Sequence, residues 1–474
     1  MKIRDFIRKN KFKIVLLFSV LCVSLAFMVF IRTEADYFWH LAAGKYMINN
    51  HTILTHDVFS WYLKGTYWMS HEWLFEIIIY GLSLIFGKYS LLIYCFSCFF
   101  GLLLIMYFAN RKYFAKNKLF TFIWLACILI FAGFITGRPH MLSFIFIAIT
   151  MYLLRDAYNN KSNKIYWLPV LTIFWANIHG GTSLLSYLLC FIFMFCSMVS
   201  FDAGKLECRK KPKKLIIKYL IVGLLCMLAI NIGPHSYSMF LYPYANINDS
   251  LMTSVITEWQ CSNIGDRTHL PYFVFCFIIM IVFLLSDKKI RFLDFVLFLF
   301  ALFLGLKSIR FWPYTYIIMS FVIFYYIPYR KDDPGTNTVY LILSCGCLAL
   351  FILGFNFIVR DSLSHEIKDE AIKVLKREKP KRLYNLYDYG GELIYNDIPV
   401  FIDGRADLYS KHNLEDAVKI SLLKGNYEKI IKKYDFDYFM VNKNFSIYRY
   451  LESNDNYKQI YRDKKTIIYK KIRD

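Results

Sequence analysis

Acids, histidines and tryptophans crowd one stretch of this chain, residues 32–88. Glu34 and Asp36 stand two apart just past the first long apolar run, and His40 follows Asp36 by four residues. On a helix that spacing puts Asp36 and His40 on one face. A carboxylate at the edge of an apolar segment is partly desolvated, which raises its pKa toward the range of a working general base. Such a carboxylate could instead hold a divalent cation, or the two acids could simply solvate a helix end. Asp57 and the run His71-Glu72-Trp73-Leu74-Phe75-Glu76 lie further along the same stretch. That run is not the HExxH zinc motif, because residue 75 is Phe. His71 could line a substrate cavity or hydrogen-bond at a membrane interface. The candidate catalytic residues are therefore Asp36, Glu34, His40 and Glu72. Metal ligands are unassigned, and a divalent cation is the one cofactor this chemistry suggests.

Other polar groups recur at the ends of apolar runs. Arg138 precedes Pro139 and His140, Arg310 lies close to Pro313, and Lys307 lies just before Arg310. A guanidinium can grip a phosphate with two parallel hydrogen bonds, which makes Arg138, Arg310 and Lys307 candidate phosphate contacts. Snorkelling to lipid headgroups is the alternative for each. Asn177-Ile178-His179-Gly180-Gly181 interrupts an apolar segment. Broken helix at membrane depth is tolerated where it lines a wet or protein-enclosed cavity, and a hinge is the plainer reading. With Asp57, His71, His140, His235, Glu258 and Trp259, Asn177 and His179 are expected to line a substrate cavity.

The elements that position these residues are mostly apolar. The chain has 474 residues, 57% hydrophobic and 19% aromatic. Soluble domains are usually about 45–50% apolar. The excess falls into about eleven apolar runs, the longer of which, at about 20 residues, can cross a bilayer core of about 30 Å, while those near Gly137 and His179 are short. The spans are expected at 14–31, 89–109, 119–136, 140–154, 165–178, 182–201, 215–232, 271–286, 292–306, 312–328 and 338–359. The basic start followed by an apolar run resembles a signal peptide. No small-residue cleavage site follows, so it reads as an uncleaved first helix. The expectation is a polytopic α-helical membrane domain over 1–359, with a large first outer loop at 32–88.

Lysine and arginine set the orientation. The formal net charge is +22. Most of the basic residues of the connectors, including the run 209–214, fall on one side, which the positive-inside rule places in the cytoplasm with the N-terminus. The basic balance is thus a topology signal, and the 209–214 run reads as a membrane-surface anchor rather than a nucleic-acid site. An odd number of spans puts residues 360–474 outside. There the apolar runs shrink to strand length. A helix is expected over 365–378 and another over 427–434, with strands at 382–386, 400–402, 438–441 and 466–469. This is a small extracytoplasmic α/β domain, expected to fold with its own modest core. Its glycines at 390, 391 and 404 read as turn punctuation, since no phosphate-loop spacing is present. Asp403 and Arg405 read as a structural pair across their turn.

The chain holds 12 cysteines, most within apolar runs, so no disulfide framework is supported. No internal repeat or low-complexity segment stands out.

Glu34-Ala35-Asp36 just past the first helix, two interface helices expected at 36–49 and 72–86, many spans and a soluble terminal domain together resemble the C-type glycosyltransferase superfamily. The chain is also similar to uncharacterised bacterial membrane proteins that share DxWWH-like, HEWLFE, RPxxxSF, NxHGG and FxDGRADLY patterns. Here these are Asp36–His40, His71–Glu76, Arg138–Phe144, Asn177–Gly181 and Phe401–Tyr409. The first resemblance implies a cell-envelope transferase of the bacterial cytoplasmic membrane. It would move a sugar from a polyprenyl-phosphate carrier to an acceptor glycan, lipid or protein, with Asp36 as base or metal-organising acid. The expected partners are that lipid-linked sugar, the acceptor and membrane lipids, with no nucleic acid. The alternatives are a transporter or lipid flippase, which would favour paired halves with broken helices, and a non-catalytic subunit of a polymer assembly system.

Overall fold

In the computed structural model the described residues are 2–31, 33–114, 118–160, 162–247, 256–327, 336–362 and 367–472. Each apolar run contains helix, but the helices differ in length. Among the described residues, five segments are long and apolar enough to cross a membrane: Lys11–Phe30, Trp73–Phe114, His140–Asn160, Gly180–Met198 and Arg267–Leu285. Several other runs are divided. The 119–136 run is helix Lys118–Ala126 followed by a 3-10 turn, Cys127–Phe131. The 312–328 run is helix Trp312–Ser320 with a 3-10 turn at Ile323–Tyr325. Two serines tie the ends of this domain together: Ser19 Oγ and Ser344 Oγ are 2.8 Å apart, between Lys2–Phe27 and Thr336–Ser362. Such small polar pairs hold helices together where lipid offers no hydrophobic drive.

The first loop contributes helices Ala35–Asn50 and Trp73–Phe86, which cross closely at Gly44. A Cβ at Gly44 would sit 2.1 Å from the Glu76 carbonyl oxygen, so only glycine allows the crossing. Trp73–Phe86 is followed by a short 3-10 turn and then Ser90–Phe114. On another part of the domain, Phe201–Ala203 and Leu206–Cys208 form a hairpin whose second strand pairs in parallel with Ile290–Arg291.

The C-terminal α/β unit holds a four-stranded sheet in the order Leu383–Asn385, Tyr438–Val441, Ile467–Lys471, Tyr457–Arg462. The first pair is parallel and the other two are antiparallel. Tyr438–Val441 is buried throughout, as expected of a central strand covered on both faces. Asp369–Glu378 and Tyr427–Tyr434 are helical, and position 365 lies outside the described residues. Two expectations change here. The edge strand Tyr457–Arg462 was not anticipated, and 400–402 is not a strand. Side-chain amides replace sheet pairing at 400–402. Asn385 Nδ2 donates to the Ile402 carbonyl (2.7 Å), Phe401 N donates to Asn385 Oδ1 (2.9 Å), and Asn413 Nδ2 donates to the Phe401 carbonyl (2.9 Å).

This unit shares its core with the first loop. Trp39, Met47, Leu54, Leu63 and Trp68 join Leu383, Leu393, Phe401 and Phe439 in one buried cluster. Trp61 stacks on Phe401 with ring centroids 5.8 Å apart and donates its indole N–H to the Leu383 carbonyl. The first loop is therefore clasped between the membrane helices and the sheet domain.

Candidate active site

Arg138 ends the connector before helix His140–Asn160, next to Pro139. A residue before proline is held out of the helical region, and the Tyr94 hydroxyl donates to the Arg138 carbonyl at 2.9 Å. The fixed backbone aims the guanidinium at three carboxylates. Nε lies 2.8 Å from Glu34 Oε2, Nη2 lies 2.8 Å from Asp36 Oδ2, and Nη1 donates to Glu258 Oε1 at 2.8 Å. Two of these acids open helix Ala35–Asn50, Glu34 as its N-cap and Asp36 in its first turn, and the third comes from a 3-10 turn, Thr257–Trp259, more than two hundred residues later. All four side chains are partly buried. Burial works against the charged Arg138, yet its three partners hold its pKa well above the usual value. Burial pushes the Asp36 carboxyl above its ordinary range, against the pull of Arg138. Burial also works to raise Glu258, but Arg138 and then Arg310 hold it below the usual carboxylate value.

The C-terminal domain closes over Asp36. A Cβ at Gly404 would lie 2.0 Å from Asp36 Oδ1, and one at Gly391 would lie 2.1 Å from the Ala35 carbonyl oxygen. Neither glycine has a positive φ. These positions are glycine for close approach to the first-loop helix, a reason beyond turn punctuation.

A cavity of about 720 Å³ opens beside this cluster, between the membrane helices and the sheet domain. Asp36, His40, His71, Glu72, Arg138, His140, His179, Glu258, Trp259, Lys307 and Arg310 all line it. Separated chain segments thus meet around one cavity. Glu34 stands behind the wall on Arg138. Arg138 is thus committed to carboxylates, whereas Arg310 and Lys307 have no such set of ion-pair partners among the described residues. Arg310 lies over the Trp259 ring at 4.7 Å and Nη2 is 3.4 Å from His179 Nε2. Lys307 lies exposed at the end of helix Phe292–Lys307.

Glu72 forms a second centre. Its carboxylate oxygens lie 3.3 Å from His71 Nε2, 3.7 Å from His40 Nε2 and 3.9 Å from His179 Nε2. Burial would raise Glu72, but His71 and then His40 hold its carboxyl well below the usual range. Burial would lower His71, but Glu72, with Asp407 and Glu76, raises it above its ordinary value. Tyr242 OH is 2.9 Å from His71 Nε2, and Asp407 Oδ2 is 3.7 Å from His71 Nδ1.

Three expected cavity residues lie off the wall. Asp57 is fully buried against Arg405. Asn177 clamps neighbouring segments: Nδ2 donates to the Ile173 and Ile232 carbonyls, and Oδ1 accepts from Trp73 Nε1, each at 2.8 Å. His235 Nε2 is 3.0 Å from the Ser70 carbonyl oxygen. In the other direction, Asp407, Tyr387 and Tyr242 line the cavity and were not singled out from sequence. Asp407 sits inside the FxDGRADLY pattern, which was the available signal. The site was also expected to be able to organise a divalent cation through Asp36. The point where the three carboxylates meet is filled by the Arg138 guanidinium, and a metal ion does not fit beside it at that point. Among the described residues no group of three or more His, Cys, Asp or Glu side chains is placed to hold a metal ion.

No family model matches the chain, and no curated protein matches it. Solved structures do. The apo oligosaccharyltransferase of Archaeoglobus fulgidus superposes with a TM-score of 0.57 at 12% identity, covering 91% of this chain and 70% of that one. The same organism's oligosaccharyltransferase AglB, in complex with an inhibitory peptide and a dolichol-phosphate, gives a TM-score of 0.52 at 12% identity over the same shares. The chain has the C-type glycosyltransferase fold: a membrane protein with a C-terminal α/β domain.

Proposed function

We propose that the chain is a membrane glycosyltransferase of the bacterial cell envelope, moving a sugar from a polyprenyl-phosphate-linked donor to an acceptor hydroxyl of a glycan, lipid or protein. The observation that carries this reading is the shared wall: an arginine-bound carboxylate cluster and the cations Arg310 and Lys307 face one cavity. Phosphate leaving groups need cations, and hydroxyl nucleophiles need a base. Asp36 accepts the acceptor's proton through its oxygen not committed to Arg138. Arg310 and Lys307 neutralise the leaving phosphate. Arg138 holds Glu34, Asp36 and Glu258 in register. AglB, of like fold, binds a dolichol-phosphate and an inhibitory peptide together, which supports a lipid-phosphate donor and a separate acceptor for this chain.

The proposed topology is multi-pass, with about eleven spans in all, the N-terminus inside and the cavity and sheet domain outside. An impermeant thiol reagent should label Glu428→Cys, on an exposed helix of the sheet domain, in intact cells. Transfer of label from lipid-linked sugar to cell-surface glycan tests the chemistry. Asp36→Asn keeps the shape and loses the base, so transfer should fall about 10²–10⁴-fold with the thermal midpoint little changed. Full activity in Asp36→Asn would sink the assignment.

A further inference from the structure

The Arg138 guanidinium faces three carboxylates on three of its nitrogens, each at 2.8 Å. A guanidinium offers a fixed planar fork of donors and stays charged at any accessible pH. Glu34, Asp36 and Glu258 each turn one oxygen toward it, and that shared point is where a divalent cation bound by the same acids would sit. Hard divalent cations need several oxygens at about 2.0–2.6 Å. The nitrogens of one guanidinium cannot share that shell with a metal ion. Arg310 and Lys307 line the same cavity and add further positive charge, which repels a dication and suits an anion.

We infer that the Arg138 guanidinium is the resident counter-cation of the Glu34, Asp36 and Glu258 carboxylates, so that this chain binds no divalent cation at that cluster and transfers sugar without one. The inference deepens the proposed function and rests on it only for the transfer assay. Its binding half stands on the geometry alone. In this arrangement Arg138 positions the Asp36 carboxylate and lowers the local negative charge that would otherwise keep a lipid phosphate away. It touches neither the leaving phosphate nor the acceptor.

The test uses the full chain in lipid nanodiscs, stripped with chelator, with Mn²⁺ as the probe. Wild type should show no saturable Mn²⁺ binding by electron paramagnetic resonance below about 1 mM, the weak end of protein sites for hard cations. Its unfolding midpoint should not move with Mn²⁺, and transfer should be unchanged by EDTA. Arg138→Gln uncovers three carboxylates. That variant should lose transfer about 10²-fold or more, the scale of losing one preorganised charge. It should also gain a Mn²⁺-dependent rise in its unfolding midpoint, which a purely structural arginine would not produce. Saturable micromolar Mn²⁺ binding by wild type that disappears in Asp36→Asn, or transfer abolished by EDTA and restored by Mn²⁺, overturns the inference. If Arg138→Gln does not fold, the wild-type binding curve alone decides. A chain that binds no Mn²⁺ and transfers from no lipid-linked donor overturns the proposed function and leaves the binding half standing.

Discussion

Arg405 Nη1 lies 2.6 Å from Asp57 Oδ1, joining the C-terminal domain to the first loop through two side chains with no solvent exposure. Arg405 also meets Asp403, with Nη2 2.6 Å from Oδ2, and donates to the Tyr409 hydroxyl at 3.0 Å. Phe59 and Trp68 face the guanidinium from the loop side at 5.0 and 4.8 Å. Removing one partner from a buried ion cluster leaves uncompensated charge, which typically costs about 3–5 kcal/mol. Arg405→Gln should therefore lower the thermal midpoint and expose the sheet domain to limited proteolysis. The same substitution at an exposed arginine such as Arg209 should do neither. An unchanged protease pattern in Arg405→Gln would show that the loop and the domain hold together without this link.

Gly404 makes a sharper prediction about the site. A methyl group there would overlap Asp36 Oδ1 at 2.0 Å and the Trp39 ring at 2.7 Å. Gly404→Ala should push the Asp36 carboxylate off Arg138 and lower transfer at least tenfold, with kcat falling more than donor KM rises. Gly425→Ala, where nothing lies within 4 Å of the added carbon, is the comparison. Its positive φ strains a turn that does not line the cavity, so it should cost some stability and leave transfer intact.

The most legible residues in the sequence are those where chemistry and position coincide. Asp36 and Glu34 were legible as candidates because carboxylates follow an apolar run, and the polar connectors because each interrupts a run that should be uniformly apolar. Arg138 was legible as a cation at the right depth, but its partners were not. Two of them lie near position 35 and one lies at 258, and no local pattern links them. The C-terminal elements show the same limit. Tyr438–Val441 declares itself by four apolar residues in a row, whereas Phe401 and its neighbours look equally strand-like and are satisfied by Asn385 and Asn413 amides instead. Gly404 looked like a turn residue because the group it makes room for is in another part of the chain.

The pH profile should follow the carboxylate cluster. Burial raises the Asp36 pKa above its ordinary value, so its ionised form, and with it transfer, is lost at higher pH than a solvent-exposed Asp would dictate. The acid limb of kcat/KM should therefore lie above the usual aspartate range of about 3–4. Glu258 carries like charge beside Asp36 and contributes to that rise. Glu258→Gln should move the acid limb downward while reducing the plateau rate. The stability signs oppose each other. Asp36 favours the folded state when protonated, and that contribution is lost as pH rises through its raised folded pKa. Glu258, held low by Arg138 and Arg310, contributes above its unfolded pKa, and that contribution is lost as pH falls through its folded value. An acid limb that stays in place in Glu258→Gln would mean that Asp36 is not the titrating base.

Arg310 and Lys307 separate donor binding from chemistry. Arg310 lies over the Trp259 ring and within 3.4 Å of His179 Nε2, so its fork has fixed neighbours at the cavity. Lys307 reaches the same wall on a flexible stem from the end of its helix. Arg310→Lys keeps the charge and loses the planar fork and its stacking. It should raise donor KM more than it lowers kcat, the signature of an interaction made in the bound ground state as well as the transition state. Lys307→Ala should have the smaller effect, because an exposed ammonium is well solvated before the donor arrives. The two losses should combine less than additively if both cations grip one phosphate. If they multiply independently, the cations hold different groups, and the leaving phosphate meets only one of them.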